Sequence, residues 1–277
     1  MAYPQPYMMT ARIKPLPPEG SSATFQVRCF GSFSMTIHGR AIDLAALRPR
    51  IRRLLRLLAF RAGHPVHREV LTEALWPGTD PATGGRNLHV AISTLRRELD
   101  PDLSNGARRS LICREGETYR LCLPEDTFVD VVQFDGRLAA AKAAIDQNDI
   151  VGALGEFRRA LTLYEDLLPE EGPSEWIVRE RDRRRLDVSE IAGTLAEALL
   201  EGGEPNEAAW VCRRGIHVDR YQDALWRTLA RACELAGDLA ASARARRDYQ
   251  SLLLELGIMA WSSAPSDHDV VGDVSAS

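Results

Sequence analysis

The amino-acid sequence predicts an α+β winged helix-turn-helix domain with an extra N-terminal β-sheet, followed by an all-α domain of paired helices. Residues 25–123 pass from alternating apolar positions to helical spacing and back, whereas residues 128–257 hold no convincing strand. Charge divides along the same line. Residues 24–124 carry 16 Lys and Arg against 9 Asp and Glu, and residues 125–261 carry 17 against 26. A basic module joined to an acidic one is the pattern of a nucleic-acid-binding part attached to a protein-binding part.

The elements follow in order. Residues 1–23 are Pro-rich and aperiodic and read as a disordered leader. Phe25, Val27 and Cys29 alternate, as do Phe33, Met35 and Ile37 after Gly31-Ser32, which predicts two strands and a tight turn; "HGRAIDL" allows a third. In "RPRIRRLLRLLAFRAG", Ile51, Leu54, Leu55, Leu58 and Ala62 form a helical stripe that Gly63 ends. "HREVLTEALWPG" is a shorter helix with Val70, Leu71, Ala74 and Leu75 inward, stopped by Pro77. The polar loop "GTDPATGG" leads to a third helix at 84–99, and "SLICREGETYRLCL" reads as a hairpin turning at Gly116. Strands, three helices and a hairpin make a winged helix.

Beyond 125, Ala-rich helical segments are punctuated at "DQND", "LPEEGP", "EGGEP", "VDRYQ" and "LAGD". Gly203-Glu204 and Gly237-Asp238 lie 34 residues apart, each opening a helix of similar composition. Ala153, Phe157 and Ala160, like Ala241, Ala245 and Tyr249, match the small/aromatic alternation of tetratricopeptide-like helix pairs. The predicted division is therefore 1–23 leader, 24–124 winged helix, 125–261 helical domain and 262–277 polar tail.

The third helix points to function. In "GGRNLHVAISTLRREL", Leu88, Ile92, Leu95 and Leu99 share one face and must turn to the core. Arg86, Val90, Ser93 and Arg97 lie opposite, flanked by His89 and Arg96 on one side and by Asn87 and Thr94 on the other. No acid occurs between residues 84 and 97 in a chain whose net charge is −4. Phosphates would repel an acid there, and the residues present suit major-groove reading. Arg pairs with guanine, Asn with adenine, Ser or Thr with either, and Val meets a thymine methyl. In the hairpin, Arg114 at the first shoulder can enter a minor groove and Thr118 stands across the turn, while Arg108 and Arg109 can hold phosphates. Glu115 and Glu117 at the tip count against deep insertion.

Other chemistry lacks a handle. There is no G-x-S-x-G, H-E-x-x-H or P-loop motif, so no enzyme, cofactor or metal is expected. His64 and His67 form an i,i+3 pair without a third ligand and read as turn and helix-start residues. The five cysteines are scattered and form no C-x-x-C pair, which predicts free, buried thiols in a reducing cytoplasm. "RERDRRR" (179–185) reads as a salt-bridged face, and Trp76, Trp176 and Trp226 as core anchors. No apolar run approaches a membrane span, and the prolines near the N-terminus, where a signal peptide needs an apolar stretch, predict no export.

The segments "FQVRCFGSFSMTIHGRAIDL", "RPRIRRLLRLLAFRAGHPVHREVLTEALWPG", "RNLHVAISTLRREL" and "CREGETYRL" resemble the OmpR/PhoB-type winged helix. From "VDVVQFDGRLAAAKAAI" to "RARRDYQSLLLELGI" the chain resembles the bacterial transcriptional activation domain. Together they resemble the Streptomyces antibiotic regulatory protein family over about residues 24–258. The resemblance implies a transcriptional activator that controls a biosynthetic gene cluster. It implies binding as a dimer to direct repeats in double-stranded promoter DNA, and recruitment of RNA polymerase through its sigma and alpha subunits. It makes "RNLHVAISTLRREL" the recognition helix, "REGETY" the wing and "PGTDPATGG" the loop facing polymerase. A phospho-acceptor receiver domain does not fit into 23 leading residues, so phosphorylation switching is not implied. The rival reading is a tetratricopeptide-like interaction scaffold whose winged helix no longer binds DNA.

Overall fold

The computed structural model describes residues 25–99, 110–124 and 127–258. The leader, Arg108, Arg109 and the tail lie outside the described residues. The alternating positions near the start build an antiparallel meander of β1 (Phe25–Arg28), β2 (Ser34–Ile37) and β3 (Arg40–Ala41), with Val27 opposite Met35 and Phe25 opposite Ile37. His38 and Gly39 both take positive φ, 49° and 76°, the turn that follows the twist of flanking strands.

The first helical stripe becomes α1 (Pro49–Phe60), which buries Ile51, Leu54, Leu55 and Leu58. Next come β4 (Val66–His67) and α2 (Arg68–Leu75), and the His67 side chain accepts the Glu69 amide at the helix start. Leu71 and Leu75 are buried, but Val70, expected inward, is 54% exposed. An eight-residue helix buries only a narrow stripe, and Val70 lies 100° off it.

Helix α3 (Pro81–Leu99) begins three residues before the expected start, so "PATGG" is helical rather than loop. Pro81 opens it, Asp80 accepts the Thr83 amide at 3.0 Å, and Gly84 permits close approach to α2. A Cβ at Gly84 would stand 3.4 Å from Thr72 Cγ2. The hairpin β5 (Ile112–Glu115) and β6 (Thr118–Leu121) turns at Gly116, and β6 also pairs with β4.

The acidic half does contain a strand. β7 (Phe128–Val129) lies parallel to β1 and completes a four-stranded sheet of order β3-β2-β1-β7. Two residues are too few to show an alternation. The remaining elements are α4 (Asp130–Asp146), α5 (Ile150–Leu161), a 3₁₀ turn at Pro169–Glu171, α6 (Glu175–Glu201), α7 (Pro205–Val218), α8 (Asp223–Leu235) and α9 (Leu239–Glu255). Each punctuation read from sequence falls between helices. None of the helices among the described residues is long and apolar enough to cross a membrane.

Packing divides the chain into two compact units, Met1–Ile191 and Ala192–Ser277. In the first, the sheet and the helices after it share polar anchors. The Asp130 carboxylate accepts the amides of Cys29 and Phe30, the two residues that follow β1, and that of Val131 from its own helix. Its pKa is raised by burial, against the opposing pull of those N–H groups. Glu171, with a side chain only 1% exposed, meets Arg53 at 3.0 Å and Arg56 at 2.5 Å, both on α1. Arg181 donates to the carbonyls of Leu167, Leu168 and Gly172. Arg183 and Arg184 pair with Asp135 and Glu180, so "RERDRRR" is a salt-bridged face.

In the second unit, α7, α8 and α9 pack in succession. Gly215 allows the close contact, since a Cβ there would stand 2.7 Å from Leu225 and 2.9 Å from Ala192. Trp226 stacks on Tyr249 at 6.1 Å. Trp76, Trp176 and Trp226 are each half-buried rather than core anchors.

The cysteine expectation needs correction. Cys29, Cys212 and Cys233 are free and buried, but Cys113 and Cys122 form a disulfide with Cα atoms 6.2 Å apart. Cys113 faces Arg120 across the hairpin, so Cys122, two residues on, is its diagonal neighbour on the same face. Strand pairing, which linear spacing does not display, brings them together.

Candidate nucleic-acid interface

Helix α3 carries the candidate site because its apolar stripe fixes its rotation. Leu88, Ala91, Ile92, Leu95 and Leu99 are buried, which forces Arg86, His89, Val90, Ser93 and Arg97 outward. Val90 is 64% exposed, a β-branched apolar side chain held in water on a helix that has ample core elsewhere. Arg86 reaches Thr83 Oγ1 at 2.7 Å, and its charge also acts on the Asp80 carboxyl at the start of the helix. Arg97 has only a 3.7 Å contact with its neighbour Glu98. Asn87 and Thr94 are half-buried on one flank, and the Thr94 hydroxyl donates to the Val90 carbonyl.

The two flanks differ. On one, Arg96 Nε and Nη2 donate to the Ile112 carbonyl at 3.1 and 2.9 Å, joining α3 to the wing. Arg96 was expected beside the outward face; the structure uses its guanidinium to position the hairpin instead. On the other flank, Asn87, Val90, Thr94 and Arg97 border a groove of about 730 Å³, closed by the start of α1 and by Trp76. The sequence gives no sign of this groove, because its walls are 40 residues apart.

The wing is braced by its own charges. Arg114 Nε donates to the Gly116 carbonyl, its Nη2 lies 3.5 Å from Glu117, and the guanidinium sits over Tyr119. Thr118 donates to the Glu115 carbonyl. Glu117 pairs with Arg68 at 2.6 Å, tying the tip to the start of α2, and Glu115 pairs with Arg120. The acids at the tip therefore have structural partners. In the turn between α2 and α3, hydrogen bonds from the Thr83 amide and hydroxyl lower the Asp80 pKa.

The model for the C-terminal domain of transcriptional regulatory proteins matches residues 43–121. The bacterial transcriptional activator domain matches residues 129–262. Over 217 residues the chain is 24% identical to the transcriptional regulatory protein MoaR1 of Mycobacterium tuberculosis and 23% identical to MoaR1 of Mycobacterium bovis; each match covers 76% of this chain and 66% of the relative. Among solved structures, Mycobacterium tuberculosis EmbR in complex with a low affinity phosphopeptide shares the fold. Its TM-score is 0.64 at 21% identity, over 83% of this chain and 59% of that one. The chain thus spans less than two thirds of the length of these relatives. With both domains present in this order, the chain has the make-up of a transcriptional regulator, an OmpR/PhoB-type winged helix followed by a bacterial transcriptional activator domain, which is the architecture of the Streptomyces antibiotic regulatory protein type.

Proposed function

We propose that the chain is a sequence-specific activator that lays α3 in the major groove of promoter DNA. The observation that carries this reading is the outward face of α3: Arg86, Asn87, His89, Val90, Ser93, Thr94 and Arg97 together, with no acid before Glu98. Arg86 and Arg97 supply base or phosphate contacts, and Val90 a methyl contact. The wing follows the backbone, with Arg114 and Thr118 nearest the minor groove and Arg108 and Arg109 toward phosphates. Residues 24–124 are the DNA-reading module and 125–261 the activating one.

One recognition helix and one wing bury only about 600–1,000 Å² of protein surface, too little for strong discrimination by a single copy. Two copies therefore occupy half-sites about one helical turn apart; their arrangement as direct repeats and the recruitment of RNA polymerase are what the family resemblance implies. Control of a biosynthetic gene cluster from the cytoplasm follows from the family resemblance. The test is a footprint on fragments upstream of neighbouring genes. The Arg86→Ala, Arg97→Ala double variant should lose about 1–3 kcal/mol of specific binding per residue while melting like the parent. Unchanged operator affinity in the folded variant defeats the assignment. A parent chain that protects no fragment favours the scaffold reading.

A further inference from the structure

The groove beside α3 has no role in the reading proposed above. Arg48 and Arg50 stand at its rim, at the start of α1, with Trp76, Asn87, Thr94 and Arg97 around it. Both rim arginines are exposed, and neither meets a carboxylate among the described residues; Arg50 lies over the Trp76 ring at 5.9 Å. One turn further along the same helix, Arg53 and Arg56 are held by Glu171. The first turn of α1 has no acidic residue and no side-chain cap. Helix α1 therefore has one pair of arginines committed to the interior and one pair left open beside the candidate reading head.

We propose that this groove seats the sugar–phosphate backbone of one DNA strand, with Arg48 and Arg50 as its phosphate contacts. The inference rests on the major-groove reading of α3. A helix with its side chains is about 10–12 Å across and the major groove about 12 Å wide, so a docked helix has a backbone strand along each side. The wing occupies one side of α3, and the groove lies on the other. Three guanidiniums against the single carboxylate of Glu98 suit a polyanion, and the apolar floor of Leu47, Ile51 and Ala91 suits sugar faces. Neither arginine reads a base, so their contribution is independent of sequence.

The test uses the full chain and a fluorescein-labelled 30-bp duplex of random sequence, with anisotropy measured across a salt series. Each phosphate contact contributes about 0.9 to the slope of log K against log salt, which amounts to about eightfold in affinity per tenfold change in salt. Arg48→Ala and Arg50→Ala should each flatten the slope by about 0.9, and the double variant by about twice that. Arg40→Ala on β3 is the control and should leave the slope alone, and thermal melts confirm folding. A double variant that keeps the parental slope overturns the proposal while the DNA-reading assignment stands. So does weakened binding at unchanged slope, or a changed oligomeric state at unchanged slope, which would give the groove to a second copy. A parent chain with no salt-dependent duplex binding overturns both.

Discussion

Glu171→Gln should destabilise the first compact unit markedly without touching the outward face of α3. The native carboxylate is almost wholly buried, faces two guanidiniums, and connects the 3₁₀ turn of the acidic half to α1 of the winged helix. Removing one partner of a buried ion pair costs roughly 3–5 kcal/mol, because the remaining charge stays buried and unpaired. Arg53 is about a third exposed, so water can screen it, and glutamine keeps one acceptor oxygen for Arg56. The expected loss is therefore near the low end, about 3 kcal/mol. For a unit of this size it corresponds to a fall in Tm of roughly 6–12 °C. Calorimetry measures it directly, and a double-mutant cycle with Arg56→Met isolates the coupling. A fall below about 2 °C, or strict additivity in the cycle, would refute the view that this pair holds the winged helix to the helices after it.

Two further outcomes are expected. Because burial raises the Asp130 pKa, the native state takes up its proton more readily than the unfolded chain; its contribution to stability falls as pH rises from 3.8 through the raised folded value and is level above it. Carbon-13 NMR of the Asp130 carboxyl should show a midpoint above 3.8, and one below that value would contradict its burial. In air-oxidised protein, thiol titration under denaturant should count three cysteines, rising to five after reduction. Closing so short a loop is worth about 2–3 kcal/mol, so Cys113→Ser should lower the denaturation midpoint; five thiols before reduction would exclude the link.

Much of the architecture is legible in the sequence because it repeats a period. The α1 and α3 stripes span enough turns to fix their rotation, so the outward residues of α3 follow from Leu88, Ile92, Leu95 and Leu99 alone. What escaped has no local period. Strands β4 and β7 are two residues each and exist only through their partners β6 and β1. The Cys113–Cys122 pair is a product of strand register. Arg96 shows the limit at the site itself: angular position places it beside the outward face, but a long side chain goes where an acceptor is, and the Ile112 carbonyl is within reach. The groove at Trp76 is tertiary, with no counterpart in any stretch of sequence.

Strand β7 has a consequence for anyone building hybrid regulators. Exchanging reading heads between relatives at residue 124, where the charge changes sign, would leave β1 without its parallel neighbour and the Cys29 and Phe30 amides without the Asp130 carboxylate. It would also strand Arg53 and Arg56 from Glu171. A transplant carried through Ile191 keeps these contacts internal to the donor segment and moves the seam into α6, where continuous helical backbone can be spliced in register.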